Sequence, residues 1–187
     1  MRTQPNISTR RLLLRPFVLA DAADVQRLAG DPGIARTTLS VPHPYGDGMA
    51  AEWISTHQAG FEAGTLANFA IAMQAGGSLV GSIGLTIRPE FERAELGYWI
   101  AAAHCNRGYA TEAAAAVIDY GFATLGLNKI FATHMARNPA SGRVMQKLGM
   151  RSEGLLTQHV KKWEKYEDVA IYGLLRAQWQ AGRHLKG

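Results

Sequence analysis

Hydrophobic and polar positions change period several times along the chain, and each change marks an element. The strongest signal lies mid-chain, where Ala110, Ala113, Ala114, Val117, Ile118, Gly121 and Phe122 recur at i, i+3, i+4, i+7, i+8, i+11 and i+12. That spacing lays one continuous apolar face along a helix, and its small residues let the helix axis come close to whatever it packs on. Upstream, strand-length apolar runs predict strands over residues 68–73, 78–87 and 93–100, the first two joined by the turn Gln74-Ala75-Gly76-Gly77. An opening strand is expected at 11–16 and a helix over 19–29, with Asp21 in its first turn, where an acid complements the helix dipole. Pro32, Pro42 and Pro44 punctuate an irregular region, after which Asp47 is a candidate N-cap for a helix ending near Glu62. Past the long helix come a strand at 129–135 and a second helix, bracketed by Asn138 as N-cap, Pro139 at the first position and Gly149 just beyond the end. Strands at 151–159 and 166–175 finish the pattern. Strands in succession, then alternating with helices, then pairing again predict an α/β (α+β) fold: a mixed sheet of about seven strands with helices on both faces.

Composition narrows the class. The 187 residues fit one domain, 1–187, with no internal repeat or linker, and a domain of this size buries roughly 70% of its unfolded surface without disulfide or metal. Its one cysteine, Cys105, rules out an intrachain disulfide and suits a reducing compartment, the cytoplasm being the expectation. Residues 63–87 carry no charge, yet the glycine turn cuts them into two short runs, whereas a spanning helix needs about 20 apolar residues. The opening residues hold only the run Leu12-Leu13-Leu14, far short of a signal core, so no membrane association is expected. The net charge of +5 suits an anionic ligand or an acidic partner. No helix shows a basic stripe interleaved with aromatics, so nucleic acid is not the expected partner. The cluster Lys161, Lys162 and Lys165 fits a solvated hairpin tip as well as a binding patch. The six histidines (His43, His57, His104, His134, His159 and His184) show no metal-ligand spacing, so no metal is expected.

The chemistry concentrates in Glu95-Leu96-Gly97-Tyr98-Trp99-Ile100, a loop, and then Asn106-Arg107-Gly108-Tyr109-Ala110-Thr111-Glu112. Here a strand passes through a glycine-containing turn straight into a helix. Turn and first helical turn present backbone N–H groups without intrahelical partners at the positive end of a dipole. Gly108 and Ala110 keep side chains clear, so a pyrophosphate is the natural guest. Neither G-x-x-x-x-G-K-[ST] nor G-x-G-x-x-G occurs, which excludes the usual nucleotide loops. Spacing alone equally allows a tight turn that binds nothing.

A second constellation, Asn138-Pro139-Ala140-Ser141-Gly142-Arg143-Val144-Met145-Gln146-Lys147-Leu148-Gly149-Met150, follows the next strand. With the first segment, the opening Thr9-Arg10-Arg11-Leu12-Leu13-Leu14-Arg15-Pro16 and the late Tyr172-Gly173-Leu174-Leu175, it resembles the GNAT superfamily of acyl-CoA N-acyltransferases. The likeness is to the RimJ/RimL-like branch, which includes ribosomal-protein N-terminal acetyltransferases, and it spans nearly the whole chain.

The resemblance implies a bent sheet whose two central strands, 93–100 and 129–135, splay apart around the pantetheine arm of coenzyme A. It places Trp99 and Ile100 beside that arm, the pyrophosphate on the amides of Asn106, Arg107, Gly108, Tyr109, Ala110 and Thr111, and Asn138 near the pantetheine. Arg107 would add a charge-assisted contact. Cys105 stands where the family has Gln, Arg or Trp, and is read as a small turn residue rather than a nucleophile. Met145 stands where many members carry the tyrosine that protonates the departing thiolate; Ser141, one turn earlier, is the candidate acid. Glu95 is the first candidate for the base, with Glu112 and His134 behind it and Asp168 as a possible holder of the acceptor.

The implied reaction is acetyl transfer from acetyl-CoA to a primary amine within a ternary complex. An α-amine titrates near ~8 and a lysine near ~10.4, so at pH 7 on the order of 10% of the former is neutral against well under 0.1% of the latter. A protein N-terminus therefore asks least of the base. Alternatives are a silent acyl-CoA-binding module, which Met145 would favour, or a transferase using a small-molecule amine or another acyl-CoA. The acceptor site is expected from residues 29–62 and the hairpin 157–166, and the chain is expected to be a monomer or homodimer.

Overall fold

The computed structural model describes residues 3–184, so residues 1–2 and 185–187 of the expected domain, and the side chains of Arg183 and His184, lie outside it. Among the described residues eight strands form one sheet: β1 (Ile7–Ser8), β2 (Leu12–Arg15), β3 (Leu66–Met73), β4 (Leu79–Arg88), β5 (Arg93–Ile100), β6 (Lys129–Met135), β7 (Arg151–Lys162) and β8 (Lys165–Leu175). Their order is β1-β2-β3-β4-β5-β6-β8-β7. The expected count of about seven misses β1, whose two residues are too short to show a period of two. Every neighbouring pair is antiparallel except β5 and β6.

That parallel pair sets up the site. It runs only from Arg93↔Lys129 through Ala94↔Ile130 to Glu95↔Phe131. Beyond Glu95, β5 stays on β4 as far as Gly81↔Ile100, and β6 stays on β8 as far as Met135↔Val169. The two halves of the sheet therefore part like a V, and the facing edges beyond residues 95 and 131 have no strand between them. This is the expected splay.

Alternation along the strands builds two cores, one on each face. Phe69, Ile71, Ile83, Leu85, Leu96 and Ile100 pack on α5 (Tyr109–Ala123) through Ala113, Ala114, Val117 and Ile118. On the other face Ala70, Trp99 and, beyond the β-bulge that skips Val80, Leu79 pack on α1 (Ala22–Ala29), α2 (Pro32–Thr37) and α3 (Met49–Ser55) through Val25, Ala29, Ile34, Ala50 and Ile54. Full burial of side chains of this size is worth roughly 1.5–3 kcal/mol each. On α5, Gly121 makes the close approach possible: a Cβ there would meet Ile130 Cδ1 at 2.7 Å and Leu85 Cδ1 at 3.2 Å.

Several boundaries differ from expectation for local reasons. The helix expected over 47–62 is two helices, α3 and α4 (His57–Glu62), meeting at Thr56. There the Ser55 and Thr56 hydroxyls donate to the carbonyls of Glu52 and Trp53 at 2.6 and 2.7 Å, competing with the backbone ladder. The N-cap of α3 is Gly48 at φ 81°, not Asp47, whose carboxylate instead accepts from Gln26. α2 occupies part of the proline-punctuated region: Asp31 accepts from Gly33 N and Pro32 sits in the first turn, a cap pattern that the proline itself disguised. Asn138 holds the N-cap position of α6 (Pro139–Lys147), but its side chain makes no capping bond; Ser141 N donates to its backbone oxygen instead. α7 (Arg176–His184) follows β8 and was not expected. No helix among the described residues is long and apolar enough to cross a membrane.

Candidate active site

The glycine-containing turn has the geometry that its composition implied. Asn106 and Gly108 both take positive φ, 60° and 80°, and Gly108 is the N-cap of α5. Among the described residues no acceptor takes a hydrogen bond from the amides of Asn106 to Thr111; the first bond of the helix runs from Glu112 N to Gly108 O. A row of amides thus converges at the positive end of a 15-residue helix. A Cβ on Gly108 would stand 3.4 Å from Arg11 Nη2 besides straining its φ. These groups fit a pyrophosphate.

A clasp from the N-terminal segment sets the shape of this turn. Glu112 accepts from Thr9 Oγ1 at 2.7 Å, Arg11 N at 2.8 Å and Arg11 Nε at 2.7 Å. Arg11 Nη1 donates to Arg107 O at 2.9 Å, and its guanidinium lies 4.6 Å from the centre of the Tyr109 ring. Burial alone would raise the Glu112 carboxyl, but the bonds from Thr9 and Arg11 outweigh it and leave its pKa below the ordinary value. Glu112 is thereby engaged in holding the loop, and Arg107 contributes its carbonyl while its side chain stays exposed. Nothing local in the sequence marks Thr9 or Arg11 for this role, because their partner lies about a hundred residues away.

Across the splay lies a cavity of about 720 Å³, walled by α1, α3, the segment 37–42 and the ends of β4, β5 and β6. The pairs Thr86↔Glu95, Gly84↔Gly97 and Ser82↔Trp99 form its floor. Nothing stands within 4 Å of where a Gly97 Cβ would be, so the centre of the floor is bare backbone. Glu95 sits where β5 and β6 part and accepts from Thr133 Oγ1 at 2.8 Å. Glu52 and Glu95 line the cavity, and no Lys or Arg does among the described residues. The outer wall is tied down: Lys162 Nζ donates to the carbonyls of Leu39 and Val41, and Arg137 Nη2 to that of Arg36. Lys162 is therefore occupied, and Lys161 pairs with Glu164 at the hairpin tip.

Ser141, near the start of α6, reaches this cavity from the opposite side of the splay. Its Oγ lies 2.7 Å from the Tyr98 hydroxyl, which alternation along β5 sends to the face away from Glu95. Burial raises the Tyr98 phenol above its ordinary pKa, with the Ser141 bond opposing. Met145 is 1% exposed within the core. His134 also lines the cavity; its Nδ1 lies 2.8 Å from Met135 O, and its ring stacks on Tyr172. Asp168 is elsewhere, accepting from Gln158 N on β7. Asn138 Nδ2 reaches Thr37 O at 3.5 Å. Trp99 and Ile100 point to opposite faces and are each 9% exposed, so only their backbone is available at the open edge. Cys105 Sγ lies 3.6 Å from the carbonyls of Ile100 and Ala101; burial and Asp31 push its thiol up, opposite to an activated nucleophile. Among the described residues there is no group of three or more His, Cys, Asp or Glu placed to hold a metal.

A splayed mixed sheet with an amide-lined strand-to-helix turn defines an acyl-CoA N-acyltransferase. Residues 11–151 match the acetyltransferase (GNAT) domain, and the chain belongs to that family. It is 31% identical to the uncharacterized N-acetyltransferase p20 of Bacillus licheniformis, across 91% of this chain and 96% of that one. A GNAT-family acetyltransferase from Bacillus anthracis superposes with a TM-score of 0.81 at 28% identity, covering 92% of this chain and 99% of its own. RimL, the ribosomal L7/L12 α-N-protein acetyltransferase, solved with coenzyme A, has the same fold with a TM-score of 0.84 at 17% identity, covering 91% and 98%.

Proposed function

We propose that the protein transfers an acetyl group from acetyl-CoA to a primary amine, with donor and acceptor bound together. The observation that carries this reading is the cavity on the free edge of β5, whose charged lining side chains among the described residues are the carboxylates Glu52 and Glu95. Such a lining favours an amine acceptor. The amides of Asn106 to Thr111, with Arg107, hold the pyrophosphate of the donor; the backbone at Trp99 and Ile100 and the side chain of Asn138 flank its pantetheine. Glu95 takes the proton of the attacking amine, directly or through one water, and Ser141 gives a proton to the departing sulfur.

A protein N-terminal α-amine is the acceptor we favour, because its neutral fraction at pH 7 is on the order of a hundred times that of a lysine or more. RimL, with which the chain shares its fold, acts on such an amine. The tied-down outer wall supports a second reading, a small-molecule amine that fits behind the segment 37–42. Neither needs a membrane or nucleic acid, and the lone thiol accords with work in the cytoplasm. Thiol release from acetyl-CoA is to be measured with a peptide bearing a free N-terminus, the same peptide blocked at its N-terminus, and a polyamine. Release with the free peptide alone supports the α-amine; release with the polyamine alone transfers the assignment to small amines. Coenzyme A binding with no release on any amine would sink catalysis and leave a binding module.

A further inference from the structure

The sequence lacks a phenol at the position of Met145, but the fold brings another one to the same helix. Tyr98 and Ser141 are 43 residues apart and lie on opposite sides of the splay, β5 and α6, yet their hydroxyl oxygens are 2.7 Å apart. The Tyr98 hydroxyl lies only 3.4 Å from Ser141 O as well. Ser141 is in the first turn of α6, where a serine hydroxyl ordinarily turns back to the local backbone. Here it is drawn outward, and both residues line the cavity that holds Glu95.

We propose that Tyr98 is the positioning residue of the acid: its phenol donates to Ser141 Oγ, leaves the serine hydrogen directed at the departing sulfur, and refills the serine as that hydrogen leaves. The inference rests on the acetyl-transfer reading above. As the amine nitrogen bonds to the acyl carbon, Glu95 takes one amine proton. As the carbon–sulfur bond breaks, its electron pair goes to sulfur, which takes the Ser141 proton, and Ser141 Oγ takes the Tyr98 proton. The proton on Glu95 returns to the phenolate through solvent, so the cycle closes without a further reactant. The phenol, raised by burial, stays protonated through the neutral range, as a refilling group must. The other titratable side chains lining this cavity are Tyr45, Glu52, Glu95 and His134.

Tyr98→Phe keeps the ring and removes only the bond. The expected result is a kcat lower by about ten- to a hundredfold, with KM for acetyl-CoA and the coenzyme A dissociation constant unchanged. Combined with Ser141→Ala it should add no further loss, because both changes break one path. A probe independent of turnover is Tyr98→3-fluorotyrosine: its fluorine resonance should shift when coenzyme A binds, and Ser141→Ala should abolish that shift. In the same protein, which keeps ring and hydroxyl should Tyr98→Phe not fold, the alkaline limb of kcat should move to lower pH with the more acidic phenol. A Tyr98→Phe enzyme within twofold of wild type, losses that multiply with Ser141→Ala, or a fluorine shift indifferent to Ser141 would overturn the proposal. A wild-type protein that binds coenzyme A but acetylates no amine would instead contradict the reading beneath it.

Discussion

His57 shows how one side chain links packing to pH. It is 6% exposed between Phe17 and Trp53, with edge-on ring contacts at 5.4 and 4.4 Å. Asn68 Nδ2 donates to its Nε2 at 3.1 Å, and Nδ1 meets no polar partner among the described residues. Burial holds its pKa down at about 4, so the folded ring is neutral where the unfolded one charges. Stability is complete above the unfolded value near 6.5 and declines as pH falls towards about 4, in all by roughly 3 kcal/mol. His57→Phe should remove that slope, read as denaturation midpoints between pH 7 and 4; an unchanged slope would contradict it. Below this window Glu112 and Asp21 take over. Burial opposes both carboxylates, but hydrogen bonds from Thr9 and Arg11, and from Arg15 and Val18 N, lower their pKa values. Their contribution is present above the unfolded carboxylate pKa and is lost as pH falls through the depressed folded value. None of this is readable from spacing, because a buried neutral histidine and a solvated one look alike in a sequence.

Among the elements, the turn between β5 and α5 takes its form from a distant segment, the connection between β1 and β2. Its glycine and its amides were legible, since G-x-A before a helical period dictates an open N-terminus. Its clasp was not: Glu112 reads locally as an acid complementing a dipole, and only the tertiary fold sets Thr9 and Arg11 against it. Glu112→Ala should therefore do more than remove a dipole partner. It leaves Arg11 beside the loop without its carboxylate, and should cost about 1–3 kcal/mol of stability and weaken coenzyme A binding measured by calorimetry. Gly108→Val should weaken the same binding at least about tenfold, because φ 80° disfavours a β-branched residue and the side chain crowds Arg11. Unchanged affinity in both variants would remove the donor from this turn. The splitting of α3 from α4 belongs to the same scale: hydroxyls at Ser55 and Thr56 were visible, but their choice of the backbone over solvent was not.

At the scale of the whole molecule, three base pairings between β5 and β6 decide everything that follows. They bring Glu95 to the point of divergence, leave a free edge beyond it, and put Ser141 and Tyr98 across the gap. The mixed sheet, the small-residue face of α5 and the positions of Glu95 and Ser141 could be read from period and motif order. The cavity was legible only in part, because its walls include residues 25–56, where prolines and short helices blur any period, and the hairpin 157–166, expected beside them, contributes no lining residue. Tyr98 was hidden in plain view: alternation sets it opposite Glu95, but only the splay reveals what it meets. The measurement that tests the account most directly is thiol release from acetyl-CoA by wild type and Glu95→Gln, with an α-amine acceptor and coenzyme A affinity measured in parallel. The Gln side chain keeps an oxygen for Thr133, so folding and affinity should hold. The account predicts amine-dependent release in wild type and a kcat about a hundredfold lower in Glu95→Gln at pH 7, the deficit shrinking as pH approaches the amine pKa of ~8. Equal rates in the two proteins at every pH would contradict it.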